Sequence, residues 1–467
     1  MLISRLGELA RVLKSQWPGK DDQRCTAICT DTRNITPGAL FIALRGERFD
    51  GHAYVAQALE QGACGVVVDH DMRLECPQAA ACQLIVPDTR LALGIMSGAM
   101  RRRWSGTLIA ITGNSGKTTV KEMIREIAQV AAPEQVLATS GNFNNDIGAP
   151  LTLLQLADHH RYAIIELGAN HIGEISWIGA LAAPDVAVIN NVTGAHVGEF
   201  GSMGHIAQAK GELIGALDPR AGRVILNRDD HFCDVWSAIA DQRLAHSIDH
   251  FGLERTADWH VRALSFTDDG TSFSLYRGEQ CLGEVTLGML GRHNVLNALA
   301  ASASAYAAGI SAADIVTGLN RCQAFEHRLT LRSARDGWRI LDDSYNANPG
   351  AMKAAIDALM SQPGPHWFFM GAMGELGQAA AELHAEVGEY AKAQGVDALI
   401  TYGDAAQYAA RAFGGQHFEE WRALEQYALE HLPAHACVLI KGSHSMHMNR
   451  LVSRLCDDTS DDTQITR

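Results

Sequence analysis

Short apolar runs separated by polar, turn-forming stretches set the pattern of this chain. Near the N-terminus, runs at 27–30, 39–44, 65–68 and 83–86 read as strands. Pro37-Gly38, Gly46 and Asp50-Gly51 mark turns between them. Residues 1–14 mix Arg5, Glu8, Arg11 and Lys14 with apolar positions, which predicts an amphipathic helix and not a secretory leader. Residues 90–103 predict a second helix, whose closing Arg101-Arg102-Arg103 suits the negative end of a helix dipole.

A second pattern begins at Thr107. Runs at 108–112, 163–167, 186–190 and 224–227 have strand length and alternate with helical segments, as at 118–130 and 294–308. That alternation predicts a mostly parallel α/β sheet. Between 259 and 287 the period falls to two, which predicts an antiparallel hairpin region. Beyond Gly318, strand-like runs at 339–341, 367–370, 398–402 and 437–440 alternate with helical ones at 351–360, 380–394 and 421–431. The expectation is an α/β chain of three domains: a small α/β domain over 1–104, a central phosphate-loop domain with a mostly parallel sheet over 105–316, and a Rossmann-like domain over 317–456. A polar tail, 457–467, is expected to be disordered.

Composition narrows the function classes. A length of 467 residues suits about three domains. A net charge of −14 argues against a non-specific nucleic-acid binder. No apolar run approaches the roughly 20 residues that span a bilayer, so a cytoplasmic protein is expected. The ten cysteines include no C-x-x-C pair, and read as reduced thiols.

The sharpest motif is Thr112-Gly113-Asn114-Ser115-Gly116-Lys117-Thr118-Thr119, placed between a strand and a helix. Backbone N–H groups of such a loop cradle phosphates; Lys117 would reach the β- and γ-phosphates, and Thr118 would offer its hydroxyl to Mg²⁺. Ile111 stands where the longer G-x-x-x-x-G-K-[ST] template has its first glycine. Alone, the loop leaves kinase, switch and ligase open. Glu166 closes an apolar run, at the strand end that faces the ligand crevice of an α/β sheet, and is the natural Mg²⁺ partner of Thr118. Asn294 and Asn297 share one helix face.

Together with this loop, the segments 30–33, 37–52, 142–151 and 342–349 resemble the Mur ligases, relatives of the folylpolyglutamate synthetases, in order along nearly the whole chain. The best-fitting member of that family adds D-alanyl-D-alanine to UDP-N-acetylmuramoyl-tripeptide through an acyl phosphate, with ATP, two Mg²⁺ ions and a carbamylated lysine. The resemblance implies that His196 and a carbamylated Lys210 hold the second Mg²⁺. It implies that Asn294, Asn297, Arg328 and Asp343 hold ATP with the loop residues 113–119. Thr30, Asp31, Thr32, Arg33, Arg45 and Gly46 would line the UDP site. Asn142, Asn144, Asn145, Asp146, Asn346, Asn348 and Lys441 would contact the peptide substrates. A monomer is expected. The chain departs from the family where His327 replaces a common Gly, Ala372 an Asp and His444 an Arg. The Asp-Asn-Pro-Arg motif of the ligase that adds the third peptide residue is absent. A non-catalytic ATP-binding switch is the competing reading from another class.

Overall fold

The computed structural model describes residues 2–46, 49–193, 197–243, 248–267 and 270–456. Three sheets organise them. The first is fully parallel, in the order Ile28–Cys29, Leu40–Ile42, Gly65–Val68, Gln83–Ile85. The second has nine strands, in the order Gln280–Leu287, Thr271–Arg277, Trp259–Phe266, Ile248–Phe251, Arg223–Asn227, Val186–Ile189, Thr107–Thr112, Tyr162–Glu166, Val136–Ala138. The third has six: Thr330–Ser333, Arg339–Asp343, Cys437–Lys441, His366–Gly371, Ala398–Tyr402, Gln416–Phe418. Among the described strands of these three sheets, antiparallel pairing is confined to both neighbours of Thr271–Arg277 and to Thr330–Ser333 against Arg339–Asp343.

Why these runs form sheets is visible in how their side chains divide. In the central sheet, Leu108, Ala110, Ala163, Ile165, Ala187 and Ile189 enter one core, while Ile109, Ile111, Ile164, Val186 and Val188 enter another. Helices cover both faces, which is what a parallel sheet requires. The helix Lys117–Ala131 buries Val120, Met123, Ile124, Ile127 and Ala128 in the second core, at helical spacing. The same alternation splits the third sheet: Leu341, Phe368 and Leu439 face one core, and Ile340, Phe369 and Val438 the other.

The short strands 136–138, 248–251, 330–333 and 416–418 were not expected from the sequence. Three lie at sheet edges, and the fourth carries Asp249 and His250, so their apolar signal is weak. The N-terminal helix is shorter than expected, Leu6–Val12. Lys14, at φ +53, ends it, and Arg5 pairs with Arg24 in an antiparallel bridge. Arg101 does more than face its own helix end. It is buried and donates to the carbonyls of Ala182 and Ala183 and to Asp185, fastening the helix Thr89–Arg103 to the central sheet's helices. All ten cysteines are free. Among the described residues, no helix is long and apolar enough to cross a membrane. The tail 457–467 lies outside the described residues.

Candidate active site

Strand Thr107–Thr112 lies between Val186–Ile189 and Tyr162–Glu166. The connections leaving these strand ends diverge, and a crevice opens at their C-terminal edge. A cleft of about 760 Å³ occupies it. One wall carries the ends of the central strands: the phosphate loop, Glu166, Asn190 and Asn227. The opposite wall carries Asp343 and Lys441, the in-register ends of two strands of the third sheet.

The loop is built for close approach. Gly116, at φ +77, caps the helix Lys117–Ala131 and has no side chain to cover its first N–H groups. A Cβ there would lie 2.5 Å from both Asn190 Nδ2 and Asn297 Oδ1. Gly113, at φ +146, would set a Cβ 3.1 Å from Asn190 Cβ. Asn190 and Asn191 brace the loop: both side-chain amides donate to the Ser115 carbonyl, and Ser115 N–H donates to Asn191 Oδ1. Lys117 curls back, donating to the Gly113 carbonyl at 2.8 Å and the Asn114 carbonyl at 3.3 Å. Burial pulls its pKa down, while Glu166 opposes the shift. Thr119, beside it, is buried in the helix and does not line the cleft.

Glu166 is 2% exposed. Its Oε2 accepts from Thr118 Oγ1 at 2.8 Å, and its Oε1 from Asn144 Nδ2 at 2.8 Å. Two hard oxygen donors therefore meet at the helix start, a donor set that suits Mg²⁺. Lys210 is not a surface lysine of its helix. It is 1% exposed, lines the cleft and has its ammonium 5.7 Å from the Phe200 ring centroid. Burial, with Lys117 nearby, brings its pKa down to about 7. His196 lies outside the described residues.

Asn294 is no N-cap. The helix Arg292–Ala307 starts after Gly291, and Asn294 Nδ2 donates to the Leu290 carbonyl. Asn297 Nδ2 donates to Asn294 Oδ1, and its own Oδ1 accepts from Asn190, tying the two to the phosphate loop. Arg328 lies over the Tyr345 ring at 4.1 Å, and His444 stacks on the same ring at 5.8 Å. Lys441 Nζ donates to Asp343 Oδ2 at 2.5 Å and to the Asn346 carbonyl at 2.9 Å. Asn348 caps the helix Pro349–Met360 and reaches across the cleft, donating to Ser115 Oγ at 2.9 Å. The third sheet's wall thus touches the phosphate loop directly. His327 adopts φ +59, a conformation glycine tolerates best, and bonds Asp342 at 2.8 Å. Ala372, a further departure, is packed under the same wall and accepts from the Ser443 N–H.

The cleft gathers Asn142, Asn144, Asn145 and Asp146 with Asn294, Asn297, Arg328, Asp343, Asn346, Asn348 and Lys441. It does not include Thr30, Asp31, Thr32, Arg33, Arg45 or Gly46. Those lie by the first sheet, where Asp31 caps the turn Thr32–Asn34 and pairs with Arg33, and Arg45 pairs with Asp69. Sequence reasoning missed Arg90, Glu174, Asn190, Asn191 and Tyr345 as cleft residues. Asn190 and Asn191 could have been found by the strand-end rule that found Glu166.

Family models match three stretches: the Mur ligase family catalytic domain over 24–101, the Mur ligase middle domain over 111–305, and the Mur ligase glutamate ligase domain over 327–444. The UDP-N-acetylmuramoyl-tripeptide–D-alanyl-D-alanine ligase of Haemophilus influenzae is 38% identical over 458 residues, covering 96% of this chain and 98% of its own. The chain belongs to the Mur ligase family. Among solved structures, MurF from Acinetobacter baumannii resembles this Mur ligase with a TM-score of 0.89 and 35% identity, over 97% of this chain and 99% of its own. A UDP-N-acetylmuramoylalanyl-D-glutamyl-2,6-diaminopimelate–D-alanyl-D-alanyl ligase from Acinetobacter baumannii has a TM-score of 0.84 and 34% identity, over 97% of this chain and 98% of its own.

Proposed function

We propose that this Mur ligase, an ATP-dependent ligase, joins D-alanyl-D-alanine to UDP-N-acetylmuramoyl-tripeptide through an acyl phosphate. The observation that carries the reading is the meeting of Lys117, the Thr118–Glu166 pair and buried Lys210 in one cleft between two sheet edges. The likeness to relatives named for that activity supports it.

The chemistry must bring two anions together. A terminal carboxylate oxygen of the tripeptide attacks the γ-phosphorus of ATP, and ADP leaves. The amine of the dipeptide then attacks the acyl carbon, and the tetrahedral intermediate expels phosphate with that oxygen, releasing one proton. Lys117, once it releases the loop carbonyls, neutralises the transferring phosphoryl group, as do the helix N–H groups beyond Gly116. Thr118 and Glu166 would hold Mg²⁺, which supplies further charge neutralisation at the phosphates. Asn294 and Asn297 set the loop's floor; Arg328 and Asp343 face the nucleotide from the opposite wall.

Lys210 fits carbamylation. Near pH 7 a large share of its amine is neutral. The neutral amine adds CO₂ and loses a proton to give a carbamate anion, which with His196 would hold a second Mg²⁺. The donor's uridine diphosphate is assigned to residues 1–104. There the ion pairs of Arg33 and Arg45 are exposed and cost little to open. ATP is assigned to 105–316, and the incoming dipeptide to 317–456, beside Lys441 and Asn346.

The test is phosphate release with ATP, UDP-muramoyl-tripeptide and a panel of amines. Release that depends on D-alanyl-D-alanine is expected; release independent of every amine would favour the ATP-binding switch. Lys210→Ala should lose turnover and regain part of it with short carboxylates, and a failure of rescue removes the carbamate.

A further inference from the structure

One cleft pair is left unused by this chemistry. Arg90 stands at the start of the helix Thr89–Arg103, and Asp146 closes the asparagine-rich turn; both line the cleft. Arg90 Nε donates to Asp146 Oδ2 at 2.5 Å, and Nη2 to Oδ1 at 2.6 Å. A guanidinium has five N–H groups, so both on Nη1 and one on Nη2 remain for a ligand. The Arg90 side chain is 53% exposed, which leaves that edge accessible. Each Asp146 oxygen also keeps acceptor capacity. The pair therefore presents a cationic edge beside an anionic one without having to open.

Its position relative to the reacting groups is fixed by the chain. Asn144 bonds Glu166, and Asp146 follows two residues later, at most about 7 Å of extended backbone. Glu174, also on the cleft, lies within electrostatic reach of both Arg90 and Lys210. The pair thus stands roughly one long side chain away from where the donor carboxylate is activated.

We infer that the Arg90–Asp146 pair reads the third residue of the donor peptide, taking the zwitterionic far end of a 2,6-diaminopimelate side chain and so favouring it over lysine. This rests on the function proposed above. A carboxylate and an ammonium on one carbon complement the two edges: the carboxylate meets the free guanidinium N–H groups, and the ammonium meets Asp146. A lysine offers the ammonium alone and leaves the Arg90 edge to water. Bidentate recognition of this kind discriminates better than a single point charge.

The test compares kcat/KM for two donors, UDP-muramoyl-tripeptides ending in diaminopimelate or in lysine, with saturating ATP and D-alanyl-D-alanine. The unaltered enzyme should prefer diaminopimelate by about tenfold or more, as sites that pair a ligand's polar group do. Arg90→Gln should collapse that preference to within about threefold, through a raised KM for the diaminopimelate donor, and Arg90→Lys should fall between. Asp146→Asn removes only the ammonium partner, so the preference for diaminopimelate should survive it. An Arg90 variant that weakens both donors equally overturns the inference, because Arg90 then holds a carboxylate common to both or merely latches two segments. An unaltered enzyme that uses both donors equally well also overturns it. An unaltered enzyme that uses neither defeats the proposed function instead.

Discussion

Replacing Lys210 by methionine should make the protein more stable while destroying its activity. The folded state holds the ammonium almost wholly buried, and the pKa falls from 10.5 to about 7. Below pH 7 both folded and unfolded chains bind this proton, and the cost of burying the charge is fully present. Between pH 7 and 10.5 the folded chain has released the proton while the unfolded chain still binds it, so stability rises with pH. At about 1.4 kcal/mol per unit, the penalty is about 4 kcal/mol at pH 7 and under about 1 kcal/mol at pH 10. Methionine fills a similar volume without a charge. Urea denaturation in CO₂-free buffer should therefore find Lys210→Met more stable by a few kcal/mol at pH 7, with the gap closing by pH 10. A variant less stable at pH 7, or a gap that does not change with pH, would refute the burial of a strained cation at this position.

Other perturbations separate the parts of the site. Lys117→Ala should abolish ATP-dependent phosphate release while calorimetric binding of the UDP-linked donor stays nearly unchanged; loss of both would mean the lysine supports the fold of the cleft. Gly116→Ala combines an unfavourable left-handed residue, about 1 kcal/mol, with a clash against the Asn190–Asn297 bond, worth about another 1 kcal/mol. Thermal melting should show the loss, and nucleotide affinity should fall with it. Asn348→Ala removes a helix cap, about 1 kcal/mol, together with its side-chain bridge to Ser115, so KM for ATP should rise; an unchanged KM would show that this bridge plays no part in seating the nucleotide.

Local chemistry was legible in the sequence, and long-range packing was not. The phosphate loop announces itself because its glycines and Lys117 are consecutive. Glu166 could be placed because an apolar run ending in a carboxylate puts it at a sheet's ligand edge. The burial of Lys210 could not be read from its own helix, Met203–Gly211. It depends on Phe200 and on the helices packed against that stretch. Arg90 reads as an ordinary first-turn residue because its partner is 56 positions away, and the bond from Asn348 to Ser115 is hidden because it spans 233 positions. The edge strands at 136–138 and 416–418 were missed because three residues, with at most one of them buried, carry almost no periodicity.

The central claim is that the donor carboxylate is activated as an acyl phosphate in the cleft between the two sheet edges. It can be followed atom by atom with UDP-muramoyl-tripeptide carrying ¹⁸O in its terminal carboxylate. Mass spectrometry of the phosphate released with D-alanyl-D-alanine should find one ¹⁸O atom transferred for each amide formed. Phosphate free of ¹⁸O alongside amide product would contradict the account.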